Sequence, residues 1–320
     1  MLHAFLIFWA ILTMIIVLEA RIVRVLIYLG VFSLVSALCY LLLGSADVAM
    51  AEAAATAFTT VFFIVYIEKY FGLSNMYTGI ERRDPYRKGW VMGWLRRINL
   101  KSYIPPIVFT AFLFGIFVYF MPEGDANPFL KNLYITQFMA DIGGTNAVTA
   151  IYLGYRVYDT LFEALVLIIS ITAAIHLSAI SELSVKDGHH SELEKSGMTV
   201  YTMRAICPLL LVFGIYIVAN GHISPGGGFQ GGLAIASFFI CRYMVYNIYD
   251  LPISKLNKLE DLIFVAISLI AIFVVFLGGG ASSTAPSGAV YLTIMNALIG
   301  LKVACGFIIL FYRFVAIERE

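Results

Sequence analysis

The sequence predicts an all-α, polytopic integral membrane protein, and three observations lead to this fold class. First, 61% of the 320 residues are hydrophobic and only 13% are charged, against roughly 45–50% and 25% in soluble domains. Second, apolar stretches recur that reach the ~20 residues a membrane-spanning helix needs. Third, these stretches lack the period-two alternation of membrane β-strands. The composition therefore excludes a water-soluble enzyme and a disordered protein.

Nine segments are long and apolar enough to be spanning helices, and the first of them is predicted to stay in the mature protein. It lacks a basic n-region and a small-residue cleavage site, and Arg21 and Arg24 follow it. These features distinguish an anchor helix from a removed signal peptide. The nine predicted spans are 3–19, 25–43, 48–68, 105–121, 158–180, 201–219, 228–248, 261–279 and 289–312.

The distribution of basic residues predicts the orientation of these spans. With the N-terminus outside, nine spans place the C-terminus in the cytoplasm. All 21 lysines and arginines except Lys131, Arg156 and Lys302 then lie on the cytoplasmic side. Such an excess of basic residues is what the positive-inside rule requires of cytoplasmic loops.

Two polar stretches divide the chain into three predicted modules. Residues 72–102 are basic and carry tryptophans, which favours an orientation signal with an interfacial helix, the alternative being a docking site for a cytoplasmic partner. Residues 185–199 mix both charges with two adjacent histidines, a pattern typical of a solvated linker. The predicted modules are 1–103 with three helices, 104–184 with two and 185–320 with four.

Acidic residues inside the predicted spans are the first candidates for function, because burying a charge in hydrocarbon costs about 3 kcal/mol even on a lenient scale. Asp47 lies where a helix N-cap is expected, which offers a structural alternative to an ion-path role. Glu52 follows about one turn later among alanines. Because small neighbours let another helix approach closely, we expect Glu52 to face a protein interface.

The fifth span begins with two carboxylates on one helical face. Asp159 and Glu163 are four residues apart, a spacing that places them one turn from each other. They form either the entrance to a cation or proton path or a pair of acids favoured by the helix dipole. His176, further along the same helix, is either a proton relay or a hydrogen-bonded packing residue.

A glycine-rich segment at 220–232, N-G-H-I-S-P-G-G-G-F-Q-G-G, separates the sixth and seventh spans. It follows no strand and lacks the Lys-Ser/Thr pair, which excludes a phosphate-binding loop. It predicts a tight hairpin in which Pro225 ends one helix, and His222 is either a proton-access group or a hydrogen-bonded turn residue. Its glycines permit positive φ or close helix packing: Gly226, Gly227, Gly228, Gly231 and Gly232.

Lys302 lies near the middle of the last predicted span. Snorkelling to the interface explains a lysine near a helix end, but at this depth we expect Lys302 to need a buried anion or a wet cavity. The four cysteines lie singly, without a C-x-x-C pair, so the sequence predicts no iron–sulfur, zinc or other metal site on this chain.

These residues resemble a known family of membrane proteins. The segment 220–232, read as G-H-x-x-P-G-G-G-F-x-G-G, resembles the signature of the MrpB/MnhB family of multisubunit sodium/proton antiporters, and 296–303 is similar to that family's last helix. Residues 144–163 resemble the C-terminal region of MrpA, which corresponds to an MbhE-type subunit of archaeal membrane-bound hydrogenases. Residues 47–54 resemble the adjacent, MbhD-type portion. The resemblance implies a fusion of MbhD-, MbhE- and MbhF-like modules.

The resemblance implies a non-catalytic membrane subunit that contributes to cation and proton translocation. Its setting would be a redox-driven respiratory complex of the hydrogenase, formate hydrogenlyase or sulfane reductase type, or a stand-alone Mrp antiporter. The alternative is a structural module that links a redox arm to antiporter subunits without moving ions. The chain lacks the long proton-pumping domain that begins full-length MrpA, so we expect it not to be a complete antiporter by itself.

The same resemblance implies partners, transported species and path residues. Expected partners are MrpC-, MrpD-, MrpE-, MrpF- and MrpG-like subunits, a hydrogenase-like cytoplasmic arm and the lipid of the cell membrane, and no nucleic acid. Sodium ions and protons would be transported, and iron–sulfur or nickel centres would lie only on partner subunits. The candidate path residues are Glu52, Asp159, Glu163, His222 and Lys302, with His176 and Asp47 beside them.

Overall fold

A computed structural model describes residues 2–19, 21–71, 128–182, 197–246, 251–277 and 288–315, with six single positions between 108 and 119. Helices and turns make up this described part, and no β-strand occurs in it. The predicted all-α class is confirmed. The chain forms two compact units, Met1–Tyr70 with Thr136–Glu320 and Phe71–Ile135, and all contacts below lie within the first.

Three helices form the N-terminal part: α1 (Leu2–Leu18), α2 (Ile22–Leu42) and α3 (Ala46–Phe71). Trp9 joins the first two, because its indole Nε1 donates to Ser36 Oγ at 2.7 Å and its ring stacks on Phe32 at 4.7 Å. The turn between α2 and α3 contains Gly44 at φ +78°. Glycine adopts this left-handed conformation without the steric cost of a Cβ atom.

A helix that the sequence analysis did not predict, α4 (Pro128–Asp141), precedes the fifth predicted span. Its 14 residues are too few to cross a bilayer, so a search for spanning helices passes over it. Proline at the first position suits a helix start, because no intrahelical donor is lost there. Gly143 and Gly144, both at positive φ, follow its end.

The next helical stretch begins eleven residues before the predicted span at 158. It consists of α5 (Ala147–Ala150), a π-helical turn (Ile151–Tyr155) and α6 (Val157–Glu182). In the π turn the Arg156 amide donates to the Ile151 carbonyl at 2.9 Å, five residues back. Such turns interrupt helices mostly at functional sites.

The C-terminal part contains α7 (Gly197–Asn220), α8 (Gly228–Tyr246), α9 (Ile253–Leu277) and α10 (Gly288–Val315). Helix α10 is the most buried of them, and it packs against α6, α7, α8 and α9. It also contacts α3 through edge-to-face aromatic pairs, with ring centroids 4.8 Å and 6.0 Å apart. These pairs are Phe58 with Phe307 and Phe62 with Phe311.

Six helical segments in the described part are long and apolar enough to cross a membrane, and each overlaps a predicted span. Together they make the chain a membrane protein by length and composition. The six are Ile22–Leu42, Ala46–Glu68, Val157–His176, Val200–Asn220, Gly228–Tyr246 and Gly288–Val315.

The other three predicted spans are not among these six. The segment 3–19 is helix α1, but its apolar part, Ile7–Val17, is short for a span. The described part of the segment 261–279 lies in α9, which carries charged residues at its beginning. The segment 105–121 falls outside the described residues apart from six positions. The polar stretches 72–102 and 185–196 fall outside them entirely. The count of nine spans and their orientation stay predictions.

Candidate functional site

The glycine hairpin, residues 220–232, connects α7 to α8 by a turn that differs from the prediction in one respect. Helix α7 ends at Asn220, not at Pro225. The Asn220 carbonyl accepts from the amides of Ile223 and Ser224, both at 2.9 Å. These bonds close the turn before the proline is reached, so Pro225 lies within the hairpin.

Two glycines of the hairpin have the positive φ that the sequence predicts. Gly226 is at φ +145° and Gly227 at φ +154°, values that side-chain-bearing residues rarely adopt. A Cβ atom on Gly227 would also overlap the hydroxyl of Tyr152, which lies in the π-helical turn. Both backbone conformation and space therefore require glycine at this position.

Asp47 anchors the hairpin, and the expectation that it caps its own helix is wrong. It is the second residue of α3, and the first helical bond runs from the Ala49 amide to the Ser45 carbonyl. The Asp47 carboxylate instead accepts from the Gly226 amide at 3.0 Å and from Asn146 Nδ2 at 3.1 Å. The Asp47 carboxylate oxygen is therefore used in a tertiary contact with the hairpin and with Asn146, and not in capping α3.

Asn146 is a second anchor, buried beneath the hairpin. Its Oδ1 caps α5 by accepting from the amides of Val148 and Thr149. Its Nδ2 donates to the carbonyls of Gly221 at 3.1 Å and Ser224 at 3.0 Å. One amide side chain therefore starts a helix and holds the hairpin at the same time.

Asn296 of α10 is the third anchor, and it is completely buried. Its Oδ1 accepts from the Tyr152 hydroxyl at 2.9 Å and from the Gly228 amide, the first of α8, at 3.1 Å. Burial raises the pKa of the Tyr152 hydroxyl to about 12, so the phenol stays protonated and donates. The Nδ2 of Asn296 has no hydrogen-bond partner among the described residues.

His222 is bonded through both its backbone and its ring. Its carbonyl accepts from the amides of Thr145 at 2.9 Å and Asn146 at 3.1 Å. Its Nδ1 lies 3.2 Å from Thr293 Oγ1, whose hydrogen goes to the Ala289 carbonyl. The ring of His222 and the Thr293 hydroxyl are thus within hydrogen-bonding distance of each other. Of the two interpretations of His222, these contacts fit a hydrogen-bonded turn residue. A proton-access role stays a prediction.

Three further glycines allow α8 to pack closely, as predicted. A Cβ atom on Gly228 would lie 2.6 Å from the Asn296 carbonyl oxygen, and one on Gly232 would lie 2.6 Å from that of Gly300. On Gly231 it would lie 2.7 Å from the Gly214 carbonyl oxygen of α7. Because these neighbours are backbone atoms, they cannot move aside as a flexible side chain can.

Lys302 has the buried anion that its position requires. Its Nζ donates to Glu260 Oε1 of α9 at 2.8 Å, and the side chains are 1% and 4% exposed. The ring of Phe264 lies 5.9 Å from the same Nζ. Glu260 lies one residue before the predicted span 261–279, so among the sequence features only Lys302 indicates a buried acid.

Glu52 is bonded to a neighbouring helix, as expected of a residue at a protein interface. Its Oε1 accepts from the Ser33 hydroxyl of α2, and Ser33 also contacts the Thr56 hydroxyl of α3. This cluster of three polar side chains crosses the interface between α2 and α3. It does not include Asp47, which lies more than one turn earlier and binds the hairpin.

The remaining candidates lie on the exposed side of α6. Asp159 is paired with Arg156, whose Nε donates to its Oδ2 at 2.6 Å. Glu163 and His176 are exposed, and neither has a hydrogen-bond partner among the described residues. The structure therefore brings Asp47 and His222 together at the hairpin and pairs Lys302 with Glu260, while Glu52 and the α6 residues lie apart from them.

Three residues of this site could not be singled out as functional from the sequence. Asn146, Tyr152 and Asn296 are ordinary polar residues of apolar stretches, although an asparagine before a helical pattern is a known capping signal. No group of three or more His, Cys, Asp or Glu side chains that could hold a metal ion occurs in the described part of the chain. The arrangement can hold a backbone turn rigidly and keep one charged pair inside a helix bundle.

Two segments of the chain match known protein families. Residues 198–317 match the family described as a domain related to the MnhB subunit of Na+/H+ antiporter. Residues 7–70 match the MbhD family, which is described as a subunit of MBH. The first segment contains the glycine hairpin and α10, and the second contains α2, Asp47 and Glu52.

Individual relatives cover parts of the chain. A protein of Methanocaldococcus jannaschii is 28% identical over 192 residues, which are 54% of this chain and 71% of that protein. A protein of Staphylococcus haemolyticus that carries the name antiporter subunit mnhB2 is 39% identical over 74 residues, which are 22% of this chain and 52% of that protein. The chain thus spans about half the length of the second relative.

Two solved structures are similar in fold. The first is a chain of the Mrp complex from Dietzia sp. DQ12-45-1b, with a TM-score of 0.72 and 15% identity, covering 99% of this chain and 35% of that chain. The second is a chain of the membrane-bound sulfane sulfur reductase, an archaeal respiratory membrane complex. Its TM-score is 0.51 and its identity 26%, covering 68% of this chain and 96% of that chain.

Proposed function

We propose that this chain, which matches an MnhB-related domain over residues 198–317 and the MbhD family over residues 7–70, is a membrane subunit of a multisubunit sodium/proton antiporter module. In this role it contributes to the movement of cations and protons across the membrane together with other subunits. It carries no cofactor of its own, and sodium ions and protons are the transported species.

The observation that carries this proposal is the anchored hairpin. Asp47, in the segment that matches the MbhD family, binds Gly226, in the segment that matches the MnhB-related domain. Asn146, from the region between the two matched segments, binds both Asp47 and the hairpin carbonyl of Ser224. This network supports one functional module to which both matched segments and the region between them contribute. Its centre is the glycine hairpin, the motif on which the resemblance to the MrpB/MnhB family rests.

The proposed setting is a redox-driven respiratory complex, with a stand-alone Mrp antiporter as the alternative. The similar chain of the sulfane sulfur reductase complex is covered over 96% of its length, which supports the first setting. The proposed partners are MrpC-, MrpD-, MrpE-, MrpF- and MrpG-like subunits and a cytoplasmic redox arm. Mass spectrometry of co-purified subunits distinguishes the settings, since only the first brings iron–sulfur or nickel proteins.

We place the protein in the cell membrane with nine spans, the N-terminus outside and the C-terminus in the cytoplasm. The proposed modules are 1–103, 104–184 and 185–320. This proposal rests on the basic residues that accumulate on one side of the spans. With this orientation, the glycine hairpin faces outward and the basic stretch 72–102 faces the cytoplasm.

Labelling of single introduced cysteines tests this orientation. The four native cysteines are buried and free, so they give little background. An impermeant maleimide is expected to label Ile223→Cys on intact cells and to leave Trp90→Cys unlabelled until the cells are opened, because only the first lies outside. Labelling of residue 90 on intact cells would contradict the orientation.

The proposed path residues fall into two groups by their contacts. Asp47, Glu52, His222 and Lys302 have polar partners within the chain, and so does Asp159, which is paired with Arg156. Glu163 and His176 are exposed on α6 without a hydrogen-bond partner among the described residues, and a carboxylate cannot face lipid at low cost. We propose that Glu163 faces a wet path or a partner subunit in the assembled complex.

Glu163→Gln tests the ion-path role. Glutamine keeps the shape and the hydrogen bonds of the carboxyl group but can neither carry its charge nor release a proton. We expect sodium-dependent formation of a pH gradient in vesicles to fall about tenfold or more, because a positioned acid–base group contributes at least that much to proton transfer. A native gel is expected to show the complex at its usual yield.

The matched control for this test is Glu163→Asp, which keeps a titrating carboxyl group at the same position. It is expected to retain most of the sodium-dependent pH gradient. Normal ion coupling in the glutamine variant would favour the structural alternative, a module that joins a redox arm to antiporter subunits.

A further inference from the structure

The ion pair between Glu260 and Lys302 is a buried charged contact that lies outside the hairpin network. Lys302 lies fourteen residues after the start of α10 and thirteen before its end. At 1.5 Å per residue this is about 20 Å from either end, which is the middle of a spanning helix. Glu260 lies seven residues after the start of α9. Two charges therefore meet deep inside a helix bundle.

The surroundings of the pair are apolar. The ring of Phe264 faces Lys302 from α9. Gly306 of α10 lies beside Glu260, and a Cβ atom there would meet Ile171 and Leu167 of α6 in addition to the carboxylate. Cys305 is a titratable neighbour that interacts with both charges. The two ions therefore depend on each other for stabilisation.

Such burial lowers the free-energy difference between the charged and neutral forms of the pair relative to its value in water. Removing two ions from water costs several kcal/mol per ion, and mutual attraction offsets this only when the geometry is good. Moving the shared proton from nitrogen to oxygen removes both charges at once, so the neutral amine and carboxylic acid avoid that desolvation cost. A lysine ammonium exchanges its proton more readily than an arginine guanidinium does.

We propose that Glu260 and Lys302 form a proton-transfer pair within the C-terminal four-helix module, an inference that rests on the proposed function. The Nζ–H bond breaks and an Oε1–H bond forms, which turns the ammonium into an amine and the carboxylate into a carboxylic acid. Water on one side then accepts the carboxyl proton, and water on the other side returns a proton to the amine. No atom changes its oxidation state, and the net result is the transfer of one proton across the pair.

The test uses the assembled complex in vesicles and compares three variants. The double variant Glu260→Leu with Lys302→Met removes both charges, and replacing a buried ion pair by hydrophobic residues of similar volume is often neutral for stability. Lys302→Arg keeps the positive charge, but its guanidinium does not release a proton. Asp261→Asn is the matched control, because Asp261 is the exposed acid next to Glu260.

We expect the double variant and Lys302→Arg to assemble normally on a native gel and to form the cation-dependent pH gradient about a hundredfold more slowly. Asp261→Asn is expected to behave like the wild type. Normal coupling in the double variant or in Lys302→Arg would overturn the inference, and so would a loss of assembly in both, since the pair would then act on structure. A wild-type complex without any cation-dependent gradient would instead contradict the proposed function itself.

Discussion

Lys302→Met alone is expected to destabilise the protein by about 3–5 kcal/mol, the typical cost of breaking a buried ion pair by removing one partner. The substitution leaves the Glu260 carboxylate buried without its only cation within 4 Å in the described part of the chain. Methionine fills a similar volume, so a cavity does not explain the loss. The measurement is the thermal unfolding midpoint in detergent, together with the yield of assembled complex.

The double variant with Glu260→Leu is the control for this prediction. It removes the uncompensated carboxylate, and we expect it to recover most of the lost stability. The free-energy changes of the two single substitutions are therefore not expected to add up to that of the double variant, as is usual for residues in contact. If Lys302→Met unfolded at the wild-type temperature, the buried pair would not hold α9 and α10 together.

Gly232→Val is expected to destabilise the packing of α8 against α10 by at least about 1–3 kcal/mol, the range for forcing extra carbon atoms into a filled core. A Cβ atom at this position would lie 2.6 Å from the Gly300 carbonyl oxygen and 2.8 Å from the Val303 side chain. The helices would have to separate, which would also strain the bond between Asn296 and the Gly228 amide. Lower complex yield and a lower unfolding midpoint are the expected results.

Gly197→Val gives the matched control for this substitution. Gly197 begins α7, and no described residue has an atom within 4 Å of the position that its Cβ atom would take. The same change of residue should therefore cost less than about 1 kcal/mol, since only helix propensity is affected. Equal losses in the two variants would show that the valine side chain, and not the contact between helices, is responsible.

Much of the fold follows from composition and local pattern. The six apolar helices of the described part overlap predicted spans, because hydrocarbon requires about 20 apolar residues whatever their neighbours are. The close packing at Gly228, Gly231 and Gly232 and the positive φ of Gly226 and Gly227 were also predictable. The match to the MnhB-related family confirms the resemblance drawn from the hairpin motif, and the match to the MbhD family confirms the one drawn from residues 47–54.

Other features could not be predicted because their local sequence pattern is weak. Helix α4 is too short to register as a span. The helical stretch before α6 begins with a capping asparagine and contains a π turn, and neither changes the apolar pattern enough to be seen. Glu260 lies at the polar margin of a predicted span, where an acid is usually solvated.

The sequence by itself determined the membrane class, most of the helices, the glycine hairpin and the need of Lys302 for an anion. Only the tertiary structure decided which residues meet. Asp47 binds an amide 179 positions away, and Lys302 binds an acid 42 positions away. Periodicity and capping are properties of neighbouring residues, whereas these partners depend on how helices pack. A carboxylate at a helix start can satisfy its own helix or another segment, and packing of α3 beside the hairpin selects the second.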